Sequence, residues 1–204
     1  SGKSTIINIL KDKFKNNKSI CILEEPINDW YDIKDDNEKI IEKFYKDKKK
    51  YAFSFQMLAY ISRIHYLLNA LKNNKFKIII TERCILTDKY VFAKMLYDSN
   101  DIDEVNYQIY LKWFDEFLKD IPEIFHIYIK CNPNISYKRV IIRSRNGESI
   151  PLEYLENCNQ YHNEWLNNIN NKLIINGNCD KSIDPTLYND NINLIINNIL
   201  ILFI

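Results

Sequence analysis

The apolar and polar positions alternate between two periods along the chain, and the alternation predicts helices separated by short strands. After Thr5, the apolar residues Ile6, Ile7, Ile9, Leu10 and Phe14 continue a helix out of the first five residues. Ser19 to Leu23 is a short, unbroken apolar run of buried-strand type that stops at Glu24-Glu25-Pro26. Residues 36–47 are mixed, with helical character in their second half, and 51–71 is the strongest helix: Phe55, Leu58, Ala59, Ser62, Leu67 and Leu71 recur at near-helical spacing. Lys77 to Thr81 forms the next strand and ends on Glu82-Arg83, with a helix after it. An amphipathic helix over 103–119 closes at Pro122, and 125–130 is a third strand, stopped by Asn132-Pro133. A helix then runs from Ile135 and another over 151–168, with Pro151 at a favourable first position. A fourth strand covers 173–175 and ends at Asn176-Gly177, and a closing helix starts near Thr186. Strands alternating with helices imply a parallel sheet with right-handed crossovers in one α/β domain over 1–204.

Composition narrows the class without naming a chemistry. A chain of 204 residues, 46% apolar with 14 Tyr and 10 Phe, can bury one substantial core, and three Gly with five Pro leave little room for linkers. The net charge of +1 gives no global field of the kind that marks nucleic-acid or membrane binders, and Lys48-Lys49-Lys50 reads as a solvated helix face. Five cysteines with no C-x-x-C spacing favour a reducing compartment over a disulfide framework. The apolar run from Ile199 to Ile204 is far shorter than the roughly 20 residues a membrane span needs.

Charged residues collect where such a fold binds ligands. Ser1-Gly2-Lys3-Ser4-Thr5 reads as the second half of a phosphate-binding loop, G-x-x-x-x-G-K-[ST], in which the Lys reaches phosphates and the hydroxyl holds Mg²⁺. A polar helix start of this composition also arises by chance. The loop's first half, and the strand that delivers it, would precede Ser1. Glu25 stands where one strand has just stopped, and Glu82-Arg83 repeats the arrangement at another, the end of the strand at which open α/β sheets bind ligands. An exposed turn acid is the plain alternative for Glu25. Gln56 and Arg63 share a helix face, as do Asp88 and Phe92; a surface stripe would explain the first pair equally. Arg139, Arg143 and Arg145 cluster before Gly147, suited to a phosphate chain or to a solvated basic face.

Taken together, the motifs resemble the deoxyribonucleoside kinase family, which holds the deoxycytidine, deoxyguanosine and deoxyadenosine kinases. The likeness runs through G-K-S-T, E-P-x-x-x-W at Glu25 to Trp30, and F-Y-x-x-x-x-x-Y-x-F-x-F-Q from Phe44 to Gln56. It continues in S-R-I at Ser62 to Ile64, E-R-x-x-x-x-D-x-Y-x-F from Glu82 to Phe92, R-x-R at Arg143 to Arg145, and I-P-L-E-Y-L-E from Ile150 to Glu156. The resemblance implies a P-loop kinase fold with a five-stranded parallel sheet, ATP as donor, Mg²⁺, a deoxynucleoside acceptor, a cytoplasmic or mitochondrial location and a homodimer formed through the long helices. It implies roles as well. Glu25 would be the general base and Arg83 its partner; Gly2, Lys3, Ser4, Thr5, Arg139, Arg143 and Arg145 would hold ATP; Ser4 and Glu82 would hold the metal. Tyr45 and Glu148 would grip the sugar, Trp30, Phe55 and Phe92 enclose the base, and Gln56 bond its edge. Arg63 and Asp88 match the pair of kinases that act on deoxycytidine and deoxypurines; buried together, they would keep Asp88 ionised and hold Gln56.

The chain departs from the family pattern in three places. The segment between Arg145 and Pro151 is one residue short, with Gly147 where a second acid is expected; Asn163 replaces an acid after His162; and no motif fixes an adenine contact near 178–184. Two rival readings are a nucleoside monophosphate kinase of thymidylate type, which would need a basic pocket for the acceptor's phosphate, and a non-catalytic family member serving as a subunit. A switch GTPase would need an N/T-K-x-D motif placed after a strand, and none stands there.

Overall fold

The computed structural model describes residues 2–144 and 150–202. Helix α1 (Lys3–Phe14) follows Gly2, whose φ of 82° lies in the left-handed region that glycine enters without a Cβ penalty. Strand β1 (Ile20–Leu23) leads to helix α2 (Ile27–Asp32), which the periodicity did not single out because it is a single short turn around Trp30. A two-residue ribbon, β2 (Lys34–Asp35) and β3 (Glu38–Lys39), pairs antiparallel across Asp36 and Asn37, both at positive φ. Asp-Asn is a residue pair that tolerates that turn. Helix α3 (Ile40–Lys46) follows, and α4 (Lys48–Leu71) begins three residues before its first apolar position because the Asp47 side chain caps it by accepting from the Lys50 amide at 3.0 Å.

Strand β4 (Ile78–Thr81) runs into helix α5 (Ile85–Thr87), a π-helical turn over Asp88–Ala93, and helix α6 (Lys94–Asp98). Helix α7 (Glu104–Leu118) is capped by Asp103. Strand β5 (His126–Lys130), helix α8 (Pro133–Arg143), helix α9 (Leu152–Asn167), strand β6 (Lys172–Asn176) and helix α10 (Pro185–Ile201) complete the order.

The expected parallel pairing is present, distributed over two separate pairs. β1 lies on β4 in the register Ile20 to Ile78, and β5 on β6 in the register His126 to Lys172. Among the described residues these two pairs supply four parallel strands. Three apolar clusters hold the helices on these strands. Leu10, Phe14, Ile175, Ile195 and Ile199 join α1 and α10 to β6. Trp30, Phe44, Phe55 and Leu96 join α2, α3, α4 and α6, and Tyr60, Ile64, Tyr110 and Phe114 join α4 to α7. Burying one such side chain contributes about 1.5–3 kcal/mol. The second cluster sets the site, because α4 places its apolar face on Trp30 and Phe44 and carries Gln56 and Arg63 inward with it.

Candidate active site

Glu25 follows the last residue pair of β1, and Arg83 follows β4, so the parallel pairing of these strands brings both to one end of the sheet. The Arg83 Nε donates to Glu25 Oε1 at 2.7 Å, and Arg63 Nη2 donates to the same oxygen at 2.8 Å. The carboxylate is 12% exposed. Burial works to raise its pKa, and the guanidiniums of Arg83 and Arg63 with the Lys3 ammonium overcome burial and hold it well below the ordinary carboxylate range. Arg83 is likewise held charged by Glu25 against the cost of burial, and its guanidinium lies 4.8 Å from the centre of the Phe92 ring.

Arg63 serves two acids. Its other nitrogen, Nη1, bonds Asp88 Oδ1, so the pair expected from the sequence forms, with Asp88 only 1% exposed. Two details differ from the expectation. Burial pushes the Asp88 carboxyl up, against the pull of Arg63 and Arg83, so this acid does not share the depressed pKa of Glu25. Gln56 is not held by the pair: Gln56 Oε1, Asp88 Oδ2 and Arg63 Nε are all buried without a hydrogen-bond partner among the described residues. Buried polar atoms are normally satisfied, so these orphans, on Arg63, on its bonded partner Asp88 and on Gln56 two turns of α4 before Arg63, mark where a ligand's polar edge would find partners.

Around them stands an aromatic wall. Trp30 meets Phe55 edge-on at 5.6 Å and lies 5.1 Å from the Arg63 guanidinium, and its Nε1 donates to Ser62 Oγ at 3.0 Å. Phe55 stacks on Phe44 at 4.8 Å, which in turn meets Tyr45 at 5.1 Å. The π-helical turn brings Asp88 and Phe92 to the same side as Arg63 and Arg83; such turns recur at functional sites.

The phosphate end is built differently. Lys3, half-buried at the start of α1, has its pKa lowered to about 8, first by repulsion from Arg83 and then by burial, against the attraction of Glu25 and Glu82. Arg143 adds to that repulsion, so Lys3, Arg143, Glu25, Glu82 and Arg83 act on one volume. The Ser4 hydroxyl donates to Glu82 Oε1, joining the head of α1 to the end of β4. Gly2 and Thr5 flank this contact, both exposed.

Arg139 departs from the expected phosphate set. Its Nη1 donates to the Gly177 carbonyl at 2.7 Å and its Nη2 to the Cys179 carbonyl at 3.0 Å, so it anchors the loop after β6. Arg145 and Glu148 lie outside the described residues.

Side chains that sequence reasoning gave no role also reach the site. Tyr154 on α9 has its phenol pushed well up by burial and by the neighbouring Cys158 and Tyr45, and it carries the Lys48 ammonium 4.9 Å above its ring. His162 is held neutral, its pKa lowered to about 4 by burial; its Nδ1 donates to the Cys158 carbonyl at 2.6 Å and its ring meets Phe92 edge-on. The I-P-L-E-Y-L-E run already contained Tyr154, and its place in that motif was the one available signal.

Mg²⁺ fits the oxygen donors at the head of α1. The Ser4 hydroxyl and Glu82 carboxylate touch, and this ion takes one or two protein oxygens, completing its shell with water and phosphate. A cluster of three or more metal-binding side chains does not occur among the described residues. No helix among them is long and apolar enough to cross a membrane.

The deoxynucleoside kinase family model matches residues 1–201. A probable deoxycytidine kinase of Fowlpox virus (strain NVSL) is 36% identical over 190 residues, covering 88% of this chain and 76% of the relative. The deoxycytidine kinase of Mus musculus is 31% identical over 189 residues, covering 81% and 71%. The mitochondrial thymidine kinase 2 of Homo sapiens is 29% identical over 169 residues, covering 81% and 60%.

Proposed function

The chain belongs to the deoxynucleoside kinase family, and from that premise we propose that it transfers the γ-phosphoryl group of ATP to the 5′-hydroxyl of a deoxyribonucleoside in nucleotide salvage, favouring deoxycytidine, deoxyadenosine or deoxyguanosine over thymidine. The observation that carries the reading is the Glu25 carboxylate, ionised and bonded to Arg83 and Arg63, acting on the same volume as Lys3. Phosphoryl transfer asks little covalent chemistry of a protein: an oriented hydroxyl, a base for its proton and cations along the phosphate chain. Glu25 accepts the 5′-hydroxyl proton. Arg83 Nε holds the carboxylate and stands where charge gathers on the attacking oxygen. Because two guanidiniums weaken Glu25 as a base, the hydroxyl competes with them for the carboxylate.

Lys3, Arg143 and the backbone at the head of α1 hold the phosphates, with Arg145 and Thr5 as further candidates. Ser4 and Glu82 would hold Mg²⁺, which neutralises charge on the phosphate oxygens. Tyr45 and Glu148 are assigned to the sugar, and Trp30, Phe55 and Phe92 to the faces of the base. The two buried acceptors at Gln56 Oε1 and Asp88 Oδ2 favour a base edge with an amino group, the exocyclic amine of cytosine or adenine or the N1–H and 2-amine of guanine; thymine, with one N–H between two carbonyls, would leave at least one of them unpaired. Five free cysteines fit a reducing compartment, the cytoplasm in the simplest reading. Val105, Ile109 and Trp113 form an exposed stripe at four-residue spacing on α7 and support a homodimer through the long helices, which light scattering tests.

Transfer of labelled phosphate from Mg-ATP to each of the four deoxynucleosides tests the function. The expected product is a 5′-monophosphate, formed least from thymidine. Transfer to monophosphates alone would move the protein to the thymidylate type, which Arg63 and Arg83 disfavour because both already hold Glu25. Nucleotide binding with no transfer would make it a non-catalytic subunit.

A further inference from the structure

Arg63 touches the two ends of the acceptor site with the two ends of one rigid fork. Nη1 bonds Asp88, whose Oδ2 is one of the buried orphans assigned above to the base edge, and Nη2 bonds Glu25 Oε1 at 2.8 Å. A guanidinium is planar, so one amino end cannot turn without moving the other. Little around it can absorb a shift, since the Arg63 side chain is 8% exposed and the Trp30 ring stands 5.1 Å away. Trp30 is itself pinned: its Nε1 donates to Ser62 Oγ at 3.0 Å, and Ser62 Oγ donates to the Leu58 carbonyl at 2.7 Å. Ser62 directly precedes Arg63, so one turn of α4 fixes both the fork and the ring beside it.

We propose that Arg63 is a positioning residue through which the nucleobase acts on the general base: the fork that meets the base edge at Asp88 also sets where the Glu25 carboxylate stands. The inference rests on the deoxynucleoside kinase reading and adds to it a link between recognition and chemistry. A base that satisfies Asp88 and Gln56 leaves the fork in place and Glu25 aimed at the 5′-hydroxyl. A base that disturbs Asp88 moves the fork and misplaces the carboxylate. Discrimination therefore falls on kcat as well as on KM, which is how interactions realised only in the transition state show themselves.

The test compares kcat for deoxycytidine and thymidine in the wild-type chain, in the Arg63→Met/Asp88→Asn pair and in Ser62→Ala. The paired change removes both buried charges together, leaving no unpaired acid at position 88. Ser62→Ala keeps every charge and removes only the pin on Trp30. The ratio of two substrates in one preparation is unaffected by the fraction of folded protein, so a merely structural defect does not move it. The expected wild-type kcat ratio is about tenfold or more in favour of deoxycytidine, falling to within about twofold in the paired variant and to an intermediate value in Ser62→Ala. A kcat ratio unchanged in both variants, or wild-type discrimination confined to KM, would overturn the link while leaving the kinase reading intact. Failure of the wild type to phosphorylate either nucleoside would remove both.

Discussion

The acceptor end and the phosphate end of the cleft are made by opposite means. At the acceptor end, Glu25, Arg63 and Asp88 are no more than 12% exposed and bonded to one another, and Trp30, Phe44 and Phe55 pack behind them in a continuous apolar cluster. At the phosphate end, Ser4, Thr5 and Arg143 are exposed, and repulsion from Arg83 and then burial lower the pKa of Lys3 against the attraction of Glu25 and Glu82. The difference follows from what each end receives. A nucleoside is neutral and must be read by prearranged donors and acceptors, whereas a triphosphate brings its own charge and draws solvated cations to itself.

Substitutions can break this division. Lys3→Ala is expected to lower kcat/KM for ATP by about ten- to a hundredfold, the cost of one charge-assisted contact, with nucleoside affinity unchanged by calorimetry. Loss of nucleoside affinity in that variant would show that the two ends are not separable. Gly177→Ala sharpens the contrast from the structural side. A Cβ there would meet Ile129 Cγ2 at 2.9 Å, the Lys130 carbonyl at 3.0 Å and Cys131 Cβ at 3.1 Å. Overpacking of this kind costs about 1–3 kcal/mol in denaturant unfolding, and because the Gly177 carbonyl accepts from Arg139 to anchor the loop after β6, away from the Glu25–Arg63–Asp88 cluster, nucleoside affinity of the folded fraction is expected to hold.

The smallest effect is a pH dependence. Lys3, with its pKa lowered to about 8, loses its proton as pH rises through that value, so kcat/KM for ATP falls above pH 8 while kcat holds, because bound phosphate keeps the ammonium charged. The stability sign is the reverse: a lowered lysine penalises the folded state while charged, so folding stability gains between about 8 and 10.5. A flat kcat/KM profile for ATP across that range would contradict the charge assigned to Lys3.

Much of this organisation is legible in the residues. The longer helices and the four main strands follow from apolar periodicity, and Glu25 and Arg83 from their positions where strands stop, whereas the short helix α2 does not. What escaped depends on contacts that no spacing reveals. The β2–β3 ribbon rests on two positive-φ residues, Asp36 and Asn37, in a stretch too short to show a period. The start of α4 is set by a polar cap upstream of its apolar face. Arg139 shares a helix face with Arg143, so the pattern grouped them, yet the carbonyls of the loop after β6, 38 to 40 residues away, claim its guanidinium. The double duty of Arg63 was equally hidden, since Glu25 and Asp88 reach it from opposite sides along the chain.

The most direct measurement is single-turnover phosphoryl transfer by Glu25→Gln at saturating deoxycytidine and Mg-ATP, with nucleoside affinity determined on the same preparation. Removing a positioned base is expected to slow transfer by about 10²–10⁴-fold while nucleoside affinity changes by no more than a few-fold. Transfer at a near-native rate would take Glu25 out of the chemistry and with it the division of labour between the two ends of the cleft.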